Sequence, residues 1–362
     1  MGKRLFIELL LVKKGVSSGY QEYIFNLLNY FRNHRNEILF EQIIVWCKES
    51  EKEAFNAYKD VFLIKGFEYS SYFKRLYLQT VLPITEGLTK DDLLFYSGNT
   101  TGLIKRSKIL LTVHDLLYKR KMWLPNRSMR IHREFYIPVS LRKADIVVAI
   151  SNFTRDDILH YYPFAKEKVE VVYNSMDFNK FNHQDKPNEN GQYFLAICSN
   201  AFHKNLQTVF KAFDKYCQNG GENVFVFVGR INNSGVAFET YNSLPEETRN
   251  RIKIVSNVSN SELGQLYENA VAYVSASLFE GLGMPIVEAM SYNIPVILSD
   301  IPPHREVSLN KGFYFDAEDV NGLAAFMDYL PSEKCDYENE IKTLFSEENT
   351  SARYVNIINS LY

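Results

Sequence analysis

Long apolar runs are missing from this chain of 362 residues. The longest, LFIELLLV at residues 5–12, is far shorter than a bilayer-spanning helix and carries Glu8 inside it, so no membrane span is expected. No secretory leader is expected either, because MGKR runs directly into a strand-like pattern. Position 6 is Phe6, where a myristoylation signal beginning at Gly2 would have Ser or Thr. Cysteine is scarce. Cys47, Cys198, Cys217 and Cys335 are far apart and form no CxxC pair, which predicts buried free thiols in a reducing cytoplasm. Acidic residues are nowhere clustered as an oxygen cage, so no metal is implied.

Net charge is small, −2, but each half is short of one sign. Residues 1–176 hold 27 Lys or Arg against 19 Asp or Glu, whereas residues 177–362 hold 14 against 24. The basic excess lies at KRSK (105–108), YKRKMW (118–123) and the Arg and His residues from Arg127 to Arg133. Nucleic acid, an anionic membrane, a diphosphate-linked ligand and an ordinary solvated face all suit such a patch. Phe73, Tyr77, Trp123 and Phe135 lie nearby in sequence and favour the membrane. No nucleic-acid recognition motif accompanies the charge. The expectation is a cytoplasmic protein that contacts anionic membrane peripherally through Lys119, Arg120, Lys121, Arg127 and Arg130.

Length and pattern predict two domains. Apolar, β-branched runs alternate with helix-length amphipathic segments, the pattern of βαβ units and parallel sheets. In the first half the runs are RLFIELLLV, EQIIVWC, DVFLIKG, DLLFYSG, KILLTVHD, ADIVVAIS and VEVVYN; in the second they are QYFLAIC, VFVFVG, RIKIVS, VAYVSAS, PVILSD and GFYFD. The polar, strand-free segment at 179–192 reads as a linker between α/β domains at 1–178 and 193–340. In the tail at 341–362, Tyr354, Ile357, Ile358 and Leu361 are at helical spacing and predict a closing helix. Two such domains are expected to face one another across a cleft, with their functional loops at the carboxyl ends of the strands.

The most informative segment is SASLFEGLGMPIVEAMSYNIPVILSDIPPHRE, residues 275–306. Pro285 suits the start of a helix, and the apolar run before it reads as a buried strand, so Phe279 to Met284 is a strand-to-helix turn. Gly281 and Gly283 let the chain bend around Leu282 with main-chain N–H groups exposed at a helix N-terminus, where a phosphate is favoured. Carboxylates would repel that phosphate. Glu280 and Glu288 instead suit hydroxyls, such as those of a sugar ring and a ribose. Together they describe a nucleotide-sugar pocket.

EGLGMPIVE followed by EAM and PVILSD resembles the donor-binding signature of retaining glycosyltransferases of family 4, which have the GT-B fold of two Rossmann-like domains. The resemblance runs over most of the chain. It implies an acceptor-binding first domain, a donor-binding second domain, and transfer of a sugar from a nucleotide-diphosphate donor to a glycan or lipid-linked acceptor in surface polysaccharide or glycolipid biosynthesis, without metal or other cofactor. Ser18-Gly19 stands where the family has adjacent glycines. His114 in TVHDL resembles the family's histidine beneath the transferred sugar. In FLAICSNAFHKNLQ, Lys204 matches a cationic donor clamp, in a loop that also offers Ser199 and Asn200. Ser199 departs from the family's usual arginine, so one clamp is missing. Val258 resembles a main-chain contact to the base, and Asn293 stands where a glycine is usual. A nucleotide-sugar epimerase shares this architecture, and a non-catalytic partner subunit would explain Ser199.

Overall fold

The computed structural model describes residues 2–13, 19–120, 127–180, 192–330 and 335–362. Seven strands form the first sheet: β1 (Arg4–Glu8), β2 (Gln42–Lys48), β3 (Leu63–Phe67), β4 (Leu93–Tyr96), β5 (Lys108–Val113), β6 (Ile146–Ala149) and β7 (Val169–Val171). All neighbours run parallel in the order β3-β2-β1-β4-β5-β6-β7. Along β1, Leu5 and Ile7 enter one buried cluster and Phe6 enters the cluster on the opposite face. Burial on both faces is why these strands are continuous apolar runs rather than alternating ones.

The second sheet holds β8 (Tyr193–Ile197), β9 (Val224–Val228), β10 (Ile252–Val255), β11 (Ala270–Ser275), β12 (Val296–Ser299) and β13 (Phe313–Phe315). It is also parallel, ordered β10-β9-β8-β11-β12-β13. Helix Leu206–Gln218 shows how it is covered. Leu206, Val209, Phe210, Phe213 and Tyr216 are spaced by three or four residues and buried together. In each sheet the chain winds outward from its first strand on one side and then resumes on the other. The switch points therefore lie between β1 and β4 and between β8 and β11, where ligands of such sheets bind beyond the carboxyl ends.

The chain divides into two compact units, Met1–Met176 with Phe345–Tyr362, and Asp177–Leu344. The tail thus returns to the first unit. Met176 donates its amide to the Phe345 carbonyl at 2.9 Å, and the Tyr354 hydroxyl lies 2.9 Å from that of Tyr23 and 3.1 Å from Thr112 Oγ1. One helix was expected over 341–362; there are two, Glu338–Phe345 and Ser351–Ser360. The break falls in the polar SEENT, where the Ser346 hydroxyl takes the Asn349 amide at 3.3 Å. Of the linker, residues 181–191 lie outside the described residues. All four cysteines are free. Only Cys47 is fully buried, while Cys198, Cys217 and Cys335 are partly exposed.

Candidate active site

Two loops of the second unit meet at its switch point. The loop after β8 leads through a short 3-10 turn, Phe202–Lys204, into helix Leu206–Gln218; the loop after β11 carries Ser277 to Gly283. They are stitched together by main chain. The Leu278 amide donates to the His203 carbonyl at 2.7 Å. Asn205 sits in the left-handed region at φ 55° and its side-chain amide donates to the Ala276 carbonyl at 3.1 Å and the Ala317 carbonyl at 2.7 Å. Asn tolerates this conformation better than other side chains that bear a Cβ.

The result is an ion pair. Lys204 Nζ donates to Glu280 Oε1 at 2.6 Å, and Ser277 Oγ donates to the same oxygen at 2.7 Å. The two charged side chains keep only 20% and 14% of their exposure. Burial alone would push the Glu280 carboxyl up, but the Lys204 ammonium and the Ser277 hydroxyl outweigh it, and the group lies below its ordinary value. Glu280 is therefore an anion at neutral pH, held in one place, with Oε2 and its remaining lone pairs available for hydroxyl donors.

Gly283 caps the helix Met284–Ser291 at φ 108°, a conformation that side chains rarely adopt; a Cβ there would also sit 3.2 Å from Ile286. Gly281 is half-buried, and Leu282 and Met284 are buried. Glu288 follows on this helix and is only 5% exposed. The Tyr267 hydroxyl donates to its Oε2 at 2.6 Å, while the Tyr267 ring stacks on Tyr292. The sequence predicts Glu288 as an acceptor of ligand hydroxyls; in the structure an internal donor occupies one of its oxygens.

Of the other expected positions, Ser199 is exposed and Asn200 half-buried after β8, and Val258 is half-buried just before the capped helix Asn260–Glu268. Asn293 takes φ 55°, as a residue replacing glycine at a helix end must, and its Oδ1 accepts the Tyr337 and Glu338 amides at 2.8 and 3.0 Å. In the first unit, His114 follows β5. Its Nε2 lies 2.8 Å from the Ser97 carbonyl, so Nε2 carries the proton and Nδ1 the lone pair. Tyr20 and Tyr23 meet the ring edge-on, and burial lowers its basicity. Gly19 opens helix Gly19–Asn33; Ser18 lies outside the described residues. His114 and the Lys204–Glu280 pair belong to different units.

Sequence reasoning missed the support beneath Glu280. His304, on helix Pro302–Val307, is fully buried with Nδ1 3.0 Å from the Ser299 carbonyl and 3.0 Å from Ser299 Oγ. Ser299 Oγ spends its proton on the Ser277 carbonyl at 2.6 Å, so Nδ1 must be the protonated nitrogen of His304. His304 thus holds Ser299, whose hydroxyl holds the Ser277 main chain, and the Ser277 side chain in turn holds Glu280. Burial pulls His304 down to about 4, against the attraction of Glu280, which keeps it neutral. The signal was present as the His in PPHRE, but nothing in one sequence says that it folds under a turn 24 positions earlier.

Two parallel α/β sheets of this order, one in each unit, are the architecture of the GT-B fold. The pattern described as Glycosyl transferases group 1 matches residues 177–343, and that of Glycosyltransferase Family 4 matches residues 18–180. The chain belongs to glycosyltransferase family 4. It is 32% identical over 222 residues to the O-antigen chain mannosyltransferase RfbU of Salmonella typhimurium, a stretch spanning 61% of this chain and 60% of that protein. It is 23% identical to the O-antigen chain mannosyltransferase B of Escherichia coli over 73% of this chain and 74% of the relative. Anabaena HepE in complex with UDP-glucose superposes with a TM-score of 0.74 over 99% of this chain and 100% of that one at 15% identity, which shows the shared fold.

Proposed function

We propose that this protein is a retaining hexosyltransferase that moves a sugar from a nucleotide-diphosphate donor to a glycan or lipid-linked acceptor in surface polysaccharide or glycolipid synthesis, on the cytoplasmic face of an anionic membrane. The observation that carries the reading is the Lys204–Glu280 pair at the β8–β11 switch point. Glu280, fixed as an anion, accepts hydroxyls of the donor sugar and sets the anomeric carbon. Lys204 offsets the charge that grows on the departing diphosphate, helped by the main-chain amides at the start of helix Met284–Ser291. The acceptor oxygen bonds to the anomeric carbon on the face from which the diphosphate leaves. The bond from that carbon to the phosphate oxygen breaks, and the phosphate oxygen takes the acceptor's proton. No protein nucleophile and no metal enters this scheme. The names of the relatives make a mannose donor the first to test.

Purified protein incubated with GDP-mannose, UDP-glucose and UDP-galactose, with and without lipid-linked glycan acceptors, should give sugar-extended product by mass spectrometry from one donor. Nucleotide-sugar binding seen as thermal stabilisation, with neither transfer nor donor hydrolysis across the panel, would instead establish a non-catalytic subunit. The exposed Ser199, standing where the family has arginine, favours that second reading.

A further inference from the structure

The charge pattern of the sequence directs attention to Lys119 and Arg120, but both are turned onto carboxylates. Lys119 Nζ is 2.7 Å from Glu134 Oε2, and Arg120 reaches Asp157 at 3.1 Å and the Tyr161 hydroxyl at 2.6 Å. Lys121 and Trp123 lie outside the described residues, as does the Arg127 side chain. Elsewhere in the first unit the structure shows a different feature. Helix Tyr72–Thr85 buries Arg75, Leu76, Gln79, Leu82 and Pro83, yet its opposite face carries Phe73, 69% exposed, and Tyr77, 66% exposed. On helix Arg127–Lys143, Ile131 and Phe135 are 59% and 56% exposed.

These side chains belong to one surface. A row of touching rings crosses both helices: Phe73 on Tyr72 at 6.0 Å, Tyr72 on His132 at 4.9 Å, His132 on Tyr136 at 4.1 Å, and Tyr136 on Phe135 at 5.3 Å. The Tyr72 hydroxyl and His132 Nδ1, 2.7 Å apart, lock the row. The loop at 101–106 closes the seam. The Thr101 amide donates to Ser140 Oγ and the Leu103 amide to Thr80 Oγ1, and Leu103 and Ile104 are exposed on this loop. A soluble protein seldom leaves so much contiguous apolar surface without a partner.

Charge names the partner. Lys74, Arg106, Arg130 and Arg142 are exposed or half-exposed on these helices and their loop, Arg133 faces Asp115 at 4.0 Å, and the one acid in either helix, Glu134, is held by Lys119. Aromatic and aliphatic side chains on elements that also carry exposed cations match the boundary between anionic headgroups and acyl chains, where Tyr and Phe keep their rings in the apolar layer and Lys and Arg reach the phosphates. We propose that the outer face of helices Tyr72–Thr85 and Arg127–Lys143 is a membrane-docking surface that inserts Phe73, Tyr77, Ile131 and Phe135 into an anionic leaflet. The proposal deepens the reading of a membrane-presented acceptor and rests on it for its purpose, although the docking itself is measured without any transfer.

Flotation of the full-length protein with vesicles of 30% phosphatidylglycerol in phosphatidylcholine, beside pure phosphatidylcholine, tests this. The parent should bind the anionic vesicles at least tenfold better than the neutral ones. Phe73→Ser with Phe135→Ser should lower that binding at least tenfold while leaving the melting temperature and the circular dichroism unchanged, since both side chains are more than half exposed. Lys119→Gln should bind like the parent. Retention of the double serine variant at parental levels, or equal binding to both vesicle types, overturns the proposal. So does a dimer in light scattering that the same double variant dissolves, because a second copy would then cover the face. Sugar transfer to a soluble acceptor separates the two claims: a variant that no longer floats but still transfers confirms docking as distinct from catalysis, and floating protein that transfers nothing sinks the enzymatic reading alone.

Discussion

Replacing Lys204 with methionine tests the site at its most constrained point. Methionine keeps the length of the stem and removes the charge. What remains is a carboxylate with 14% of its exposure, one hydroxyl donor and no counter-ion. Breaking a buried ion pair by removing one partner costs roughly 3–5 kcal/mol, and the residual exposure here places the expectation near the lower end, about 3 kcal/mol at pH 7. For a domain of this size that is a fall of about 6–12 °C in melting temperature.

The pH dependence is the sharper signature. In the parent, Glu280 titrates below its unfolded value, so it contributes stability above roughly pH 4.3 that is lost as pH falls through the folded value. In Lys204→Met, burial acts with its chief opponent removed, the folded value rises, and the ionised carboxylate destabilises the protein as pH increases. The gap in melting temperature between parent and variant should therefore widen from pH 4 to pH 7. Differential scanning calorimetry at half-unit intervals measures it. The variant's kcat should fall by about 10²–10³ with a smaller change in donor KM, because the lost charge matters most when the diphosphate departs. A gap that is constant with pH would show that Glu280 does not titrate against Lys204, and a parental kcat would remove Lys204 from leaving-group stabilisation.

Glu280→Ala should fold and bind nucleotide but transfer sugar roughly 10²-fold or more slowly, since the hydroxyl acceptor that sets the anomeric carbon is gone; parental transfer rates under single-turnover conditions would refute the assignment. His304→Asn places an amide N–H where Nδ1–H was and should keep kcat within severalfold, whereas His304→Leu should lose both kcat and stability, and equal kinetics for the two variants would mean that the line through Ser299 and Ser277 does not position Glu280. Ser199→Arg meets no steric barrier at an exposed position and should raise turnover severalfold if the missing clamp limits the reaction; unchanged kcat in that variant would place the β8 loop away from the diphosphate.

Every strand of the two sheets coincides to within one residue with an apolar run readable from the sequence, and the reason is physical. Strands of a parallel sheet are buried on both faces, so they stand out from the amphipathic helices between them. The turn at Glu280 was readable for a related reason, because a glycine at φ 108° and a proline just inside the helix leave few other conformations open. Charge counting, unlike these local rules, does not see pairing. It treats Lys119 and Arg120 as free, but their partners Glu134 and Asp157 lie 15 and 37 positions away and are supplied by folding. The return of the tail to the first unit is similar: the helical spacing of Tyr354, Ile357 and Ile358 announces a buried face without saying which sheet buries it.

The same distinction separates the two halves of the site. Lys204 and Glu280 lie on loops that follow adjacent strands, so once the strand order is known their meeting is nearly forced: β8 pairs with β11, and the loops that leave them share one edge. His304 comes from beyond β12, the next strand outward, and reaches Glu280 only because Ser299 ends β12 with its hydroxyl turned to the Ser277 carbonyl. That support is neutral and fully buried, so it adds no charge to compete with Lys204 for the carboxylate. A cation in its place would share the Glu280 anion and weaken its hold on Lys204; a neutral support fixes the carboxylate's position and, in the proposed transfer, leaves the lysine as the group whose charge the departing diphosphate draws upon.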